Sequence, residues 1–194
     1  MPELPEVESI RRELIGVVTD KRILHVEVLR PSFIRLGSLY TIVGSRIVNL
    51  RRRGKYLIFD TETDLKFYVH LRMTGTILWQ KRYGSPTTHV RAVIKLLGGK
   101  LLFRDVRALG GIWVSNSGEP PWNKMGVEAL SEELNAGYLL QAFAKRRAPI
   151  KSLLLDQGVI AGIGNIYASE ALFKSSIHPL RPANGLNKDE IDRL

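Results

Sequence analysis

Between Leu4 and Val17 the apolar residues fall at Leu4, Val7, Ile10, Leu14 and Val17, and this three-and-four spacing predicts one helix with a single buried stripe. Pro5 suits the first helical position, where its missing N–H costs nothing, and Glu6 and Glu8 then sit in a first turn whose dipole favours negative charge. Further on, the period drops to two. Leu24, Val26 and Val28 alternate with His25 and Glu27; Leu65, Phe67, Val69 and Leu71 alternate with Lys66, Tyr68, His70 and Arg72; Val90, Ala92, Ile94 and Leu96 continue the habit. Each run predicts a strand with one buried face, and Gly54-Lys55, Thr74-Gly75 and Gly98-Gly99 supply turns between them, with a polar loop from Gln80 to Thr88. Antiparallel strands of this kind build a sandwich or a partly open barrel. After NSGEPPWN, Asn116 to Asn123, the pattern turns helical: Asn135 is placed to cap a helix, with Leu134 and Leu139 as a hydrophobic staple, and Pro149 opens a second one through Leu153, Leu154 and Leu155 that Gly158 should stop. The expected fold class is therefore α+β, an N-terminal antiparallel β-sandwich flanked by helices over residues 1–120 and a helical domain over 121–194.

Charge narrows the partner. Lys and Arg number 29 against 19 Asp and Glu, a net charge of +10 that selects polyanions and nucleic acid first among them. An anionic membrane is the competitor, but no apolar run approaches the length of a spanning helix and the start does not read as a signal peptide, so the expected location is the cytosol. The absence of cysteine excludes a disulfide framework, a thiol nucleophile and a cysteine zinc site within these residues. The basic charge is also uneven: Arg51, Arg52, Arg53 and Lys55 form one cluster and Lys145, Arg146, Arg147 and Lys151 another. Each is a phosphate-facing patch or an ordinary solvated face.

Helix capping accounts for Glu6 and Glu8 but leaves Glu3 and Pro2 over. Once Met1 is removed Pro2 is the terminal residue, and a secondary amine held on a docked helix beside a carboxylate is a nucleophile with its own acid/base group; an acidic helix start is the ordinary alternative. Near the other end, Gly162 and Gly164 allow close backbone approach and Asn165 can cap the next helix, whose free N–H groups would face an anion. A tight turn between two helices is the alternative there.

Taken in order, MPELPEVE at the start, RRRGKYL at Arg51 to Leu57, HLRMTG at His70 to Gly75, DVRALG at Asp105 to Gly110 and LLLDQGVIAGIGNIYASEALFKSSIHP at Leu153 to Pro179 resemble the formamidopyrimidine-DNA glycosylase and endonuclease VIII family of base-excision enzymes over nearly the whole chain. The resemblance implies that the second domain is a helix-two-turn-helix module and that the partner is double-stranded DNA carrying damaged bases or abasic sites, bound by a monomer in the cleft between the domains. It implies Pro2 as the nucleophile, Glu3 as the catalytic carboxylate and Glu6 as a motif glutamate with a structural part. Lys55, His70 and Asn165 match residues that grip phosphates, Lys55 also opposing proton retention on the amine, and Gly164 and Lys151 join the DNA-binding set through the turn and the second basic patch.

A base inside a duplex must be extruded before it can be excised. Met73, expected at a hairpin tip, matches the wedge that fills the gap, Arg107 matches the residue that pairs with the orphaned base, and Leu109 stands at the third wedge position, where the formamidopyrimidine branch usually carries phenylalanine. A core leucine is the alternative for Leu109. The implied activity is a bifunctional glycosylase and abasic-site lyase acting on oxidised purines such as 8-oxoguanine or formamidopyrimidines, the other reading being a duplex-binding fragment without efficient excision. The chemistry needs no metal. The family continues into a lesion-recognition loop and a zinc or zincless finger, whereas this chain stops at NKDEIDRL, so the finger is expected to be absent here and no zinc is assigned to these residues.

Overall fold

The computed structural model describes residues 2–81, 88–116 and 125–194, which divide into two compact units, Met1–Asn123 and Lys124–Leu194. Most of the polar loop expected at Gln80 to Thr88, and most of NSGEPPWN, lies outside the described residues.

The first unit opens with α1, Leu4–Val18, whose buried residues are Leu4, Val7, Leu14 and Val18. Val17 packs against the core as expected but only part-buried, and Val18 is the fully buried residue of that turn, because a step of four from Leu14 stays closer to the buried stripe than a step of three. Glu3 precedes the helix as its N-cap and donates its N–H to Glu6 Oε2 at 2.8 Å, and Pro5 follows Leu4 instead of opening the helix.

Among the described residues nine strands follow: β1 Ile23–Val28, β2 Ile34–Leu36, β3 Ile47–Arg53, β4 Tyr56–Thr61, β5 Lys66–His70, β6 Gly75–Gln80, β7 Val90–Leu96, β8 Gly99–Asp105 and β9 Gly111–Ser115. They form a four-stranded sheet in the order β1-β7-β8-β6 and a five-stranded sheet in the order β2-β9-β5-β4-β3. All pairs are antiparallel except β2 with β9. Val26, Ile77, Ile94 and Phe103 of one sheet share a single core with Leu50, Leu57, Phe59, Phe67 and Ile112 of the other and with Val7 and Leu14 of α1. Phe59 and Phe67 stack at its centre, ring centroids 4.3 Å apart.

Two strands depart from the simple alternation. The register of β1 slips between Ile23 and His25, so Ile23 is buried while Leu24 is turned outward, contrary to the expectation for Leu24. β5 is buried on both faces, for Tyr68 and His70 are as enclosed as Phe67 and Val69. On its second face Tyr56 meets both His70 and Trp113 edge-on, at 4.3 and 6.0 Å between centroids.

The second unit holds β10 Val127–Glu128, α2 Ala136–Phe143, α3 Ile150–Leu155, β11 Ile160–Ala161, α4 Asn165–Lys174 and α5 Lys188–Arg193. Its core gathers Leu139, Phe143, Ile150, Leu154, Ala168, Leu172 and Ile191. Asn135 caps α2, accepting the Tyr138 N–H at 3.0 Å. α3 ends at Leu155, before the expected Gly158, because Asp156 turns out of the helix and its carboxylate accepts the Gly158 N–H. The short parallel pair of β10 with β11 was not expected from a purely helical pattern.

Candidate active site and nucleic-acid interface

The tight two-residue turn between β3 and β4, where Arg53 faces Tyr56 across Gly54 and Lys55, holds Lys55 almost fully buried. Tyr56 is paired in register with His70 at the end of β5. Glu3 at the head of α1 is 1% exposed, and Pro2 before it is half-buried. These groups share one electrostatic neighbourhood. Burial pushes the Lys55 ammonium below its usual range, with the Glu3 carboxylate opposing the shift and Arg72 adding to it. Burial likewise lowers His70 to about 3, helped by the charges of Arg72 and Lys55. His70 is thus neutral near pH 7; its Nδ1 accepts the Arg72 N–H at 3.0 Å, which leaves the proton on Nε2 as a donor. The sequence reading missed Tyr56 and Arg72, whose parts here come from strand pairing and a backbone turn.

Met73 does not sit at a hairpin tip. β5 and β6 belong to different sheets, so Leu71 to Thr74 is an inter-sheet crossing, closed by the Gly75 N–H on the Leu71 carbonyl at 3.0 Å. A Cβ on Gly75 would lie 2.3 Å from that carbonyl oxygen, so only glycine fits the crossing. Met73 is 45% exposed and Leu109, on the β8–β9 loop, 44%, which removes the core reading of Leu109. With Arg35, Arg72 and Trp113 the two line one open hollow. Arg107 is exposed on the same β8–β9 loop as Leu109.

The first basic cluster is partly consumed within the fold. Arg51 makes a two-pronged pair with Asp60 at 2.6 and 2.8 Å, and Arg52 reaches Glu8 at 3.2 Å and the Gly54 carbonyl at 2.9 Å. Alternation along β3 turns consecutive arginines to opposite faces, so a run in sequence is not a patch in space. Glu8 collects Arg11, Arg12 and Arg52, and these partners, Arg11 foremost, hold its carboxyl at about 2.

In the second unit, Gly164 is the N-cap of α4 and Asn165 its first helical residue, a correction to the capping role expected of Asn165. Lys151 Nζ donates to Ser169 Oγ at 2.9 Å, and that hydroxyl donates to the Asn165 carbonyl at 2.7 Å, so Lys151 and the start of α4 are tied together. Gln157, absent from the sequence reading, clamps the preceding turn: its Nε2 donates to the Leu155 and Ile163 carbonyls and its Oε1 accepts the Gly162 N–H. Lys145, Arg146 and Arg147 are exposed, Arg146 reaching Asp156 at 3.4 Å.

Residues 1–112 match the model of the formamidopyrimidine-DNA glycosylase N-terminal domain, and residues 125–194 match that of the formamidopyrimidine-DNA glycosylase H2TH domain. The chain belongs to the formamidopyrimidine-DNA glycosylase family. The formamidopyrimidine-DNA glycosylase of Desulfitobacterium hafniense is 39% identical over 202 residues, which cover the whole of this chain and 74% of that protein. That of Moorella thermoacetica is 40% identical over 203 residues, with the same shares. Among solved structures, the Lactococcus lactis formamidopyrimidine-DNA glycosylase bound non-covalently to DNA containing an abasic site superposes with a TM-score of 0.94 at 32% identity, over 99% of this chain and 76% of that one. The same enzyme in complex with DNA containing N7-benzyl-Fapy-dG gives 0.94 at 33% identity, over 99% and 74%. A zinc site such as formamidopyrimidine-DNA glycosylases carry does not fit these residues: the chain has no cysteine, and among the described residues no three His, Asp or Glu side chains gather as ligands. Nor is any described helix long and apolar enough to cross a membrane.

Proposed function

We propose that this member of the family is a bifunctional DNA glycosylase and abasic-site lyase that removes oxidised purines from double-stranded DNA. What carries the reading is the buried Glu3 carboxylate beside Pro2, in one electrostatic neighbourhood with Lys55 and His70. With Met1 removed, the Pro2 nitrogen attacks the sugar carbon that bears the damaged base, and the bond to the base breaks as the base takes up a proton. Glu3 protonates the sugar oxygen, opening the ring to an iminium on Pro2, and then moves the protons of β and δ elimination, which cut the strand. The Lys55 charge favours the unprotonated amine. Lys55 and a neutral His70 donate to phosphates near the lesion, while in the second unit the N–H groups at Gly164 and Asn165, with Lys151, grip another stretch of backbone. Met73, Arg107 and Leu109 fill the space of the extruded nucleotide and hold the orphaned base.

Borohydride trapping on a duplex with one abasic site tests the assignment. A covalent complex is expected from the protein with a free Pro2 amine, a weaker one from Pro2→Gly, whose terminal amine is primary, and none from protein that retains Met1. Full trapping with Met1 present in every molecule by mass spectrometry would overturn Pro2 as nucleophile. Tight duplex binding with no trapping in the processed protein would leave a DNA-binding fragment instead.

A further inference from the structure

The two turns that present the proposed wedge are each strained. Arg72 has φ +54° and Ala108 has φ +51°, and each immediately precedes a wedge residue, Met73 and Leu109. A non-glycine residue in the left-handed region persists only where its surroundings hold it. The Arg72 N–H is held by His70, and residues flanking both strained positions meet at one fully buried carboxyl. Asp105 Oδ1 accepts the Thr74 hydroxyl at 2.5 Å and the Arg107 N–H at 3.2 Å, while Oδ2 accepts the Gly110 N–H at 2.8 Å. The Thr74 hydroxyl closes the circuit by accepting the Arg107 N–H at 3.1 Å. From the far side, the Arg35 guanidinium donates to the Gly110 carbonyl at 2.9 Å and reaches those of Ala108 and Leu109 at 3.4 Å. A side chain on Gly110 would meet the His70 carbonyl at 2.6 Å, so the loop also lies directly against the end of β5.

We infer that the Thr74 hydroxyl and the Asp105 carboxyl are positioning groups that join the β5–β6 crossing to the β8–β9 loop, so that Met73, Arg107 and Leu109 enter the duplex as one body. This rests on the proposed wedge role of Met73. Neither Thr74 nor Asp105 need touch DNA: Asp105 is wholly enclosed, and its oxygens are spent on the two turns. Separate turns would pay the cost of leaving their strained conformations one at a time, and the wedge would enter with its parts out of register.

The test uses a duplex with a stable abasic analogue and a fluorescent purine analogue beside the unpaired position, whose emission rises when it is unstacked, read at saturating protein. Met73→Ala should remove most of the rise. Thr74→Val keeps the shape of the side chain and the Asp105 contact to Gly110 but breaks the circuit; it should cut the rise about threefold, and Thr74→Ser should restore it. In the Met73→Ala background Thr74→Val should change nothing further, the non-additivity of two residues acting as a unit. Circular dichroism melting confirms that each variant is folded, and Asp105→Asn, whose NH2 must face the Thr74 and Arg107 donors or the Gly110 donor and so breaks the tie on one side, should repeat the Thr74→Val loss. A full rise in folded Thr74→Val, with Met73→Ala defective, would overturn the coupling while leaving the wedge intact. Independent losses that add in the double variant would overturn it as well. A full rise in Met73→Ala would remove the wedge reading itself, and the coupling with it.

Discussion

His70 and Met73 lie three positions apart in the chain, yet one is 7% exposed and the other 45%. His70 ends a strand covered on both faces, with Tyr56 edge-on against its ring, whereas Met73 lies past the point where the chain leaves that sheet for the other. In the roles proposed above, the two ends of this short stretch face opposite physical demands. Groups that move protons or donate to phosphate need a low-dielectric setting that decides their protonation, and burial does that for His70 and Lys55. A side chain that must replace a base in the stack needs apolar surface left open to solvent before DNA arrives, at a small cost to the free protein. Strand end and crossing together allow both within three positions of the chain.

The widest separation between the two regions should come from Glu3→Gln. Removing its proton-transfer capacity should lower excision of an oxidised purine by roughly 10² to 10⁴, while affinity for the same duplex changes by less than about threefold. Parallel loss of binding and excision would make Glu3 a purely structural cap. Met73→Ala should act in the opposite sense. It removes the filler that offsets an unstacking penalty of a few kcal/mol, so excision of a paired lesion falls sharply while trapping at an abasic site, where no base need be extruded, falls far less. Because Met73 is half exposed, the melting temperature should hardly move; a cavity-type loss of about 2 to 5 kcal/mol would mean that the side chain serves the core.

Smaller effects sharpen the buried side. Lys55→Ala should flatten the dependence of log affinity on log salt by about one phosphate contact, whereas His70→Gln should leave that slope unchanged, since a histidine neutral above about pH 3 releases no counterion. Equal slopes for both variants would break the distinction between a cationic and a neutral donor.

The smallest effect is expected at Glu8, where the shift comes from arginine partners. Its carboxyl titrates at about 2 in the fold against 4.5 when free, so the stabilisation is present above pH 4.5 and disappears as pH falls toward 2. After allowance for solvent screening, Glu8→Gln should cost at most about 1 kcal/mol at neutral pH. The difference from the unaltered protein in denaturant melts should close in acid. A gap that persists at pH 2 would assign the effect to packing.

Much of this was open to a reading of the residues in order. The helical stripe of α1, the alternation of β7 and the cap at Asn135 depend on contacts within a turn or between neighbouring residues, and such local preferences survive without knowledge of the rest of the chain. Five ordered motifs also carry the family resemblance, since a motif is by nature a linear pattern. Less accessible was the fate of the basic clusters. Arg51 and Arg52 meet Asp60 and Glu8, partners supplied by a neighbouring strand and by α1, and no count of charges along the sequence shows that they are already engaged.

Composition and period by themselves pointed to the class of fold and to a polyanionic partner, because each follows from residue type and spacing, while the ordered motifs singled out most candidate residues only through the family they resemble. Only the tertiary structure decided which of those residues are buried, which strands share a sheet and which turns lean on one another. Leu24 faces outward because of a slip in strand register, Met73 rides a crossing between sheets and not a hairpin, and Asp105 becomes the tie between two distant turns. The physical reason is common to all three. Register, sheet membership and a buried carboxyl's donors depend on residues far apart in sequence, and their energies exist only once the chain has closed on itself.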